Sequence, residues 1–217
     1  RGERAPDRGL AVVGPEAVSL VALNALARVR DEAALRWVLE NPEALAHRPP
    51  LARLALLRAF GRRGTAHLFA ALERGLREPR MERAVIEALA LARHTEAASL
   101  VAQRLTHEWR DVRVAAARAL GTLNAVGEKR GLESALADPE WQVRAQAARA
   151  LGCLGATEAI DALRRSLRDP NWWVRRHAAY ALAVLGESGR SALREVQAGD
   201  ADPYARDIAA EALGGGF

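Results

Sequence analysis

The histidines and the single cysteine are the residues of this chain best suited to metal or nucleophilic chemistry. The five histidines are irregularly spaced: His47, His67, His94, His107 and His177. A metal site needs several such ligands brought to one point at defined spacings, and only His107 is followed by an acidic residue. No glycine-rich phosphate loop or nucleophile elbow occurs. The sequence therefore predicts no metal, no cofactor and no enzymatic activity.

Arginine and aspartate recur at a strict interval of 31 residues. The arginines are Arg113, Arg144, Arg175 and Arg206, and the aspartates are Asp138, Asp169 and Asp200, each six residues before an arginine. Charges in such register usually hold stacked units together. We therefore predict an interior ladder of hydrogen-bonded ion pairs between neighbouring repeats, whose loss would destabilise the fold more than it alters binding.

An unusual set of aromatic and basic residues occurs in one repeat only. Trp173, Arg176, His177 and Tyr180 are spaced i, i+3, i+4 and i+7, which places them on one side of a helix. Trp, Tyr and Arg are enriched in binding hot spots. One interpretation is that this outer face binds a protein partner. The other is that the C-terminal half-repeat and the tail ending at Phe217 cover it.

Trp172, the neighbour of Trp173, follows the repeat instead. It aligns with Trp141, and Trp109 lies one residue from the same position. We expect these tryptophans to pack across the boundaries between units.

Repeated helical hairpins are the elements that would position these residues. The segments DVRVAAARALGTLN (111–124), QVRAQAARALGCLG (142–155) and WVRRHAAYALAVLG (173–186) align without a gap, and YARDIAAEALGGG (204–216) continues the series. The match weakens before residue 111. In the second segment the apolar side of a helix is formed by Val143, Ala147, Ala150, Leu151 and Leu154.

Each unit contains the boundaries of two helices. Asn124, Gly155 and Gly186 occupy the position where a left-handed residue closes a helix. A second helix follows, as in TEAIDALRRSL at 157–167. The Asp-Pro pairs at 138–139 and 169–170 are expected to cap and start the next unit. Gly121 and Gly152 would let adjacent helices approach closely.

Composition agrees with a helical repeat protein. The 217 residues are 50% hydrophobic but only 5% aromatic, and the abundant Ala, Leu, Arg and Glu favour helix. We predict an all-α, right-handed α-solenoid of about six hairpins that ends in a half-repeat. Residues 1–14 are expected to be a poorly ordered lead-in. Residues 15–217 would form a single repeat domain, degenerate over 15–110 and regular over 111–213.

The pattern D-P-x-W-x-V-R-x-x-A-A-x-A-L-G-x-L-G at 138–155, with a close variant at 169–186, resembles HEAT-like repeats of the short bacterial type also found in phycobilisome lyases. The C-terminal segments resemble bacterial HEAT-repeat proteins in which a membrane anchor precedes the repeats and which accompany glycosyltransferases. That resemblance implies a protein-interaction scaffold or regulatory subunit. HEAT-like hydroxylases bind iron through repeated His-Glu pairs, of which this chain has one. No feature indicates the tetrapyrrole of a lyase.

The second helices of such repeats conventionally line the concave side, where this chain would place Arg130, Arg164, Arg165 and Arg168. These arginines form either a solvated, salt-bridged face or a groove for an acidic protein segment or a phosphate backbone. HEAT-like DNA glycosylases make nucleic acid the competing partner. Against it, acidic residues interleave the basic ones, stacking aromatics are missing there, and the net charge is only +5.

Location and assembly are inferred from apolar runs and from the cysteine count. No apolar run approaches the roughly 20 residues of a membrane helix, and one cysteine is typical of a reducing compartment. We expect a cytoplasmic monomer that binds a protein partner, with an inner-membrane tether upstream of Arg1 as a further expectation.

Overall fold

The computed structural model describes residues 61–76 and 79–215 of the chain. These residues contain ten α-helices and no β-strand. The helices are α1 (Gly61–Arg74), α2 (Pro79–Leu91), α3 (Ala98–Ala102), α4 (Arg110–Thr122), α5 (Lys129–Ala135), α6 (Trp141–Cys153), α7 (Ile160–Ser166), α8 (Trp172–Val184), α9 (Gly186–Gly199) and α10 (Pro203–Leu213). The predicted all-α repeat fold is confirmed.

The helices alternate between two layers. Helices α2, α4, α6, α8 and α10 are the first helices of successive units, and each packs beside the next. Helices α3, α5, α7 and α9 are the second helices. The first three are short and are extended by the 3₁₀ turns Thr95–Ala97, Gln103–Thr106, Val126–Glu128 and Thr157–Ala159. Four complete hairpins are thus described, with α1 alone before them and the single helix α10 after them. The predicted hairpins before residue 61, the lead-in 1–14 and Phe217 lie outside the described residues.

The core consists of small side chains between the first helices and leucines towards the second. Val143, Ala147 and Leu151 are fully buried, as the sequence pattern predicts. Gly152 shows why small residues are needed, because a Cβ atom at this position would lie 2.8 Å from Cα of Ala181 in the next unit. The first helices therefore pack at close range, and their outward sides form one continuous layer.

The turn after each first helix uses a left-handed residue. Asn124, Gly155 and Gly186 have φ angles of 54°, 60° and 75°, and Arg93 has 51° at the equivalent position one unit earlier. The amide of Ala156 donates to the carbonyl of Leu151 at 3.0 Å, the hydrogen bond of a Schellman motif. The prediction for this turn is confirmed, and the unit before residue 111 follows it despite its weak sequence match.

The predicted role of the Asp-Pro pairs is wrong in two units. Helix α6 begins at Trp141 after Glu140, and α8 begins at Trp172 after Asn171, so neither Asp138 nor Asp169 is a helix cap. Their carboxylates accept instead from amides two residues on, at 2.9 Å and 2.8 Å, and from arginines of the preceding unit. A true Asp-Pro cap occurs only at Asp202, which accepts from the amide of Tyr204.

Candidate partner-binding surfaces

Two rungs of the predicted arginine–aspartate ladder lie between neighbouring units. Arg113 donates to both carboxylate oxygens of Asp138 at 2.8 and 3.0 Å, and Arg144 donates to those of Asp169 at 2.7 and 2.9 Å. These side chains are nearly buried. The hydrogen bond to Asp169 is the main cause that raises the pKa of Arg144 above its usual value.

Each ladder arginine also binds backbone carbonyls of its own unit. Arg144 donates to the carbonyl of Asp138 at 2.9 Å, and Arg206 donates to that of Asp200 at 2.6 Å. The six-residue offset between aspartate and arginine therefore places each arginine within hydrogen-bond distance of the backbone carbonyl of the aspartate in its own unit. The carboxylate of that aspartate accepts instead from the arginine of the preceding unit. The ladder joins first helices to the turns that precede them and fixes where the helices begin.

The last rung departs from the pattern. Asp200 is held by Arg168, whose Nε and Nη2 donate at 2.9 and 2.6 Å, and this hydrogen bonding is the main cause that lowers the pKa of Asp200. Arg175, the expected partner, lies over the ring of Tyr204 at 5.4 Å and donates to the carbonyl of Asp169. Arg168, expected among the concave binding residues, thus forms the rung expected of Arg175.

The first described rung has the opposite polarity. Glu82 occupies the position equivalent to Arg113, and His107 occupies the position equivalent to Asp138. Glu82 is only 3% exposed, and it accepts from Nε of Arg104 at 2.8 Å with Nε2 of His107 at 3.3 Å. His107 is therefore a rung of the stack, although its pairing with Glu108 was the one metal-like motif in the sequence.

The outward side of α8 carries exposed aromatic rings. Trp173 and Tyr180 are 49% and 46% exposed. The ring of Trp172 meets that of Trp173 edge to face at 4.8 Å, and the guanidinium of Arg176 lies over the Trp172 ring at 5.4 Å. We call Trp172, Trp173, Arg176 and Tyr180 the aromatic face. Three of the four predicted outer-face residues belong to it.

His177, the fourth predicted residue, points towards the neighbouring helix. Its Nδ1 donates to the carbonyl of Ala145 in α6 at 3.0 Å, and the ring is partly buried. Burial is the main cause that lowers the pKa of His177, and the cations of Arg149 and Arg176 lower it further. His177 therefore links two first helices beneath the aromatic face.

The repeated tryptophans, expected to pack across the boundaries between units, are partly exposed. Trp109, Trp141 and Trp172 are 55%, 36% and 42% exposed. Trp172 contacts residues of its own helix, and the indole of Trp109 donates to the adjacent Glu108 at 3.1 Å. Trp172 consequently belongs with Trp173 to the exposed surface.

The second-helix arginines divide into paired and unpaired groups. Arg164 pairs with Glu195 at 3.1 Å and with Asp161 at 3.3 Å, and Arg168 pairs with Asp200. Arg130 and Arg165 are exposed and form no ion pair within the described part of the chain. Arg165 and Arg168 border a groove of about 450 Å³ between α5 and α7. The four predicted residues are thus brought to one layer, but carboxylates neutralise half of them.

Neither a metal site nor a membrane-spanning helix is found in residues 61–76 and 79–215. They contain no group of three His, Cys, Asp or Glu side chains placed to hold a metal ion. None of their helices combines the length and the apolar character that crossing a bilayer would require.

The comparisons with known proteins agree with the repeat architecture. The family model of HEAT repeats matches residues 129–214. The sequence of this segment is similar to HEAT repeats. The same hairpin, with its left-handed turn and ladder position, extends back to Pro79, so the HEAT-like organisation covers most of the described chain. Among curated proteins, no sequence matched the chain.

Solved structures share the fold of this HEAT-like chain at low identity. The complex of CpcE and CpcF of phycocyanin lyase from Nostoc sp. PCC7120 is 23% identical, with 99% of this chain and 81% of that chain covered and a TM-score of 0.51. A designed armadillo repeat protein in complex with the peptide (KR)4 is 19% identical, with coverages of 90% and 98% and a TM-score of 0.57. An engineered protein, 20% identical, has coverages of 88% and 97% and the same TM-score. At these identities the likeness shows the fold alone.

Two functional features were missed by sequence reasoning. Arg149 stands at the position equivalent to Tyr180 and borders a cleft between α4 and α6, a role that its variable position in the repeat does not predict. The binding of Asp200 by Arg168 in place of Arg175 could have been detected from the sequence, because Arg168 stands where the preceding unit has Ala137. An arginine in a position of small residues indicates a contact that the other units lack.

Proposed function

We propose that this protein is a non-catalytic protein-interaction scaffold and that the aromatic face is its principal partner-binding surface. The observation that carries the proposal is the exposure of Trp172, Trp173 and Tyr180 side by side on one helix. Exposed aromatic rings next to arginine are typical of binding hot spots, since they bury much apolar area at low cost in side-chain entropy.

The repeat fold supports this role in two further ways. A stacked array holds its outward side chains on rigid helices, because each first helix is fixed by its neighbours and by the ladder. Groups that could perform chemistry are also absorbed into structural contacts, as His107 and Asp200 are.

We further propose that the protein is a regulatory or scaffolding subunit of a membrane-associated glycosyltransferase or polysaccharide system. Its support is the resemblance of the C-terminal segments to bacterial HEAT-repeat proteins of that kind. Such an enzyme is therefore the first partner to test. The alternative of nucleic-acid binding through the second helices is weakened, because Arg164 and Arg168 are already paired with carboxylates.

A pull-down with variants of the aromatic face tests the proposal. The double variant Trp173→Ala/Tyr180→Ala should fold normally, because both side chains are about half exposed, and it should lose the partner captured by the wild type from the native organism. Trp109→Ala is the matched control, since it removes an equally exposed tryptophan from another unit. Unchanged capture by the folded double variant, or equal loss with Trp109→Ala, would contradict the proposal.

A further inference from the structure

A row of side chains crosses the first helices at the level of Tyr180. Residues 31 apart occupy the same level of successive helices, so the row runs through α2, α4, α6, α8 and α10. Its members are Glu87, Arg118, Arg149, Tyr180 and Glu211. The centre of the row is basic and aromatic, and both ends are acidic.

Arg149 is the one cation in the centre of this row that has no carboxylate partner among the described residues. Arg118 is held by Glu87 of the preceding unit, an ion pair that spans 31 residues. Arg149 is exposed and makes no hydrogen bond or ion pair within the described part of the chain. It borders a cleft of about 160 Å³ between α4 and α6, together with Arg118, Thr122 and Gln146.

Basic residues predominate on the outward side of α6 and α8. Neither α6 nor α8 contains an acidic residue. The ladder arginines of these helices are committed to Asp169 and to backbone carbonyls, which leaves Arg149 and Arg176 on the outward side. Burial is the first cause of the low pKa of His177, and the contribution of these two cations to it is consistent with a positive potential there.

We infer that the partner segment on the aromatic face is an acidic peptide in extended conformation, lying across α4, α6 and α8 with a carboxylate at Arg149 and an apolar side chain at Tyr180 and Trp173. This inference rests on the proposed function and specifies the chemistry of the partner. The charge complementarity is provided by the unpaired guanidinium of Arg149 beside the cleft between α4 and α6, next to exposed rings on the adjacent helix.

Geometry sets the spacing of the two anchors. Axes of packed helices lie roughly 8–10 Å apart, and an extended chain advances about 3.3 Å per residue. The carboxylate and the apolar side chain should therefore be about three residues apart in the bound peptide. Glu87 and Glu211 at the ends of the row limit the length of a negative ligand, which favours a short acidic peptide over a continuous phosphate backbone.

Selection from a random peptide library tests this inference with the full chain. Twelve-residue peptides displayed on phage are selected on the wild type, on Arg149→Glu, on Tyr180→Ala and on Arg165→Glu. The last is the matched control, because Arg165 is also exposed and unpaired but lies on the second-helix layer. We expect wild-type selection to enrich Asp or Glu three residues from an aromatic or leucine side chain. Arg149→Glu should lower binding of those peptides about tenfold or more, and Arg165→Glu should leave it unchanged.

The other outcomes separate the two proposals. Peptides without acidic bias that are lost with Tyr180→Ala would overturn the acidic chemistry and leave the proposed function standing. Peptides lost with Arg165→Glu but kept by Arg149→Glu and Tyr180→Ala would overturn both. Binding of a random-sequence 20-base-pair DNA duplex that Arg149→Glu abolishes would show that the row recognises phosphate, which also contradicts the inference. Circular dichroism of each variant confirms that it is folded.

Discussion

Arg113 and Arg144 each bind two repeats at once. Arg144 donates to the carboxylate of Asp169 in the following unit and to the carbonyl of Asp138 in its own. A guanidinium has five donors in a planar fork, so it can bind both oxygens of a carboxylate and still donate to a carbonyl, a bidentate geometry that the single ammonium nitrogen of lysine does not offer. This geometry explains why arginine recurs in the register and why the aspartate position is equally strict.

Arg144→Ala should lower the free energy of unfolding by about 1–3 kcal/mol, because the nearly buried carboxylate of Asp169 loses both of its arginine hydrogen bonds and the carbonyl of Asp138 loses its side-chain donor. Thermal or urea unfolding measures the change. Arg164→Ala, which breaks an exposed pair with Glu195, is the control and should have little effect. Equal stability of Arg144→Ala and the wild type would refute the structural role of the rung.

His177 gives the fold a dependence on pH. Its folded-state pKa is lowered, by burial first, whereas the unfolded chain has the ordinary value near 6.5. As the pH falls below that value, the unfolded state takes up a proton that the folded state resists, so stability declines. Urea unfolding at pH 7.5, 6.5 and 5.5 should show this decline in the wild type and a smaller one in His177→Gln. The same pH slope in both proteins would contradict it.

At the scale of helices, the structure of each repeat is determined by its small residues and its turn geometry more than by its polar surface residues. The alignment of 111–213 predicted the buried side of α6, the left-handed Gly155 and the close approach at Gly152, because these positions follow from backbone sterics. The prediction that Asp138 and Asp169 are helix caps was wrong, because an aspartate can equally well accept from an amide in a turn and from an arginine of the neighbouring unit.

The inverted rung at Glu82 offers a test of this modular architecture. Glu82→Arg should be strongly destabilising, because it places a cation beside Arg104 and His107 in a nearly buried position. Adding His107→Asp recreates the polarity of the next rung and should recover part of the lost melting temperature. A double variant no more stable than Glu82→Arg would show that the rungs are not interchangeable.

For the whole molecule, the sequence predicted the architecture and only part of the surface. The strict interval of 31 residues defines the stack, whereas exposure depends on which way each non-repeating side chain turns. Trp172 was expected to pack across a unit boundary and is 42% exposed, whereas His177 was expected on the outer face and donates to the carbonyl of Ala145. Periodicity predicts on which side of a helix a residue lies. The packing of Trp172 against Trp173 and Arg176 within α8 then determines which aromatic atoms remain accessible to a partner.

The central claim is that a protein partner binds the first-helix layer at the aromatic face. Site-specific photocrosslinking in the native organism tests it most directly, with benzoylphenylalanine placed at Tyr180 or, as the control on the other layer, at Arg165. We predict a discrete crosslinked protein from position 180 and none from position 165. A crosslink from position 165 with none from position 180 would contradict this account and place the binding surface on the second helices.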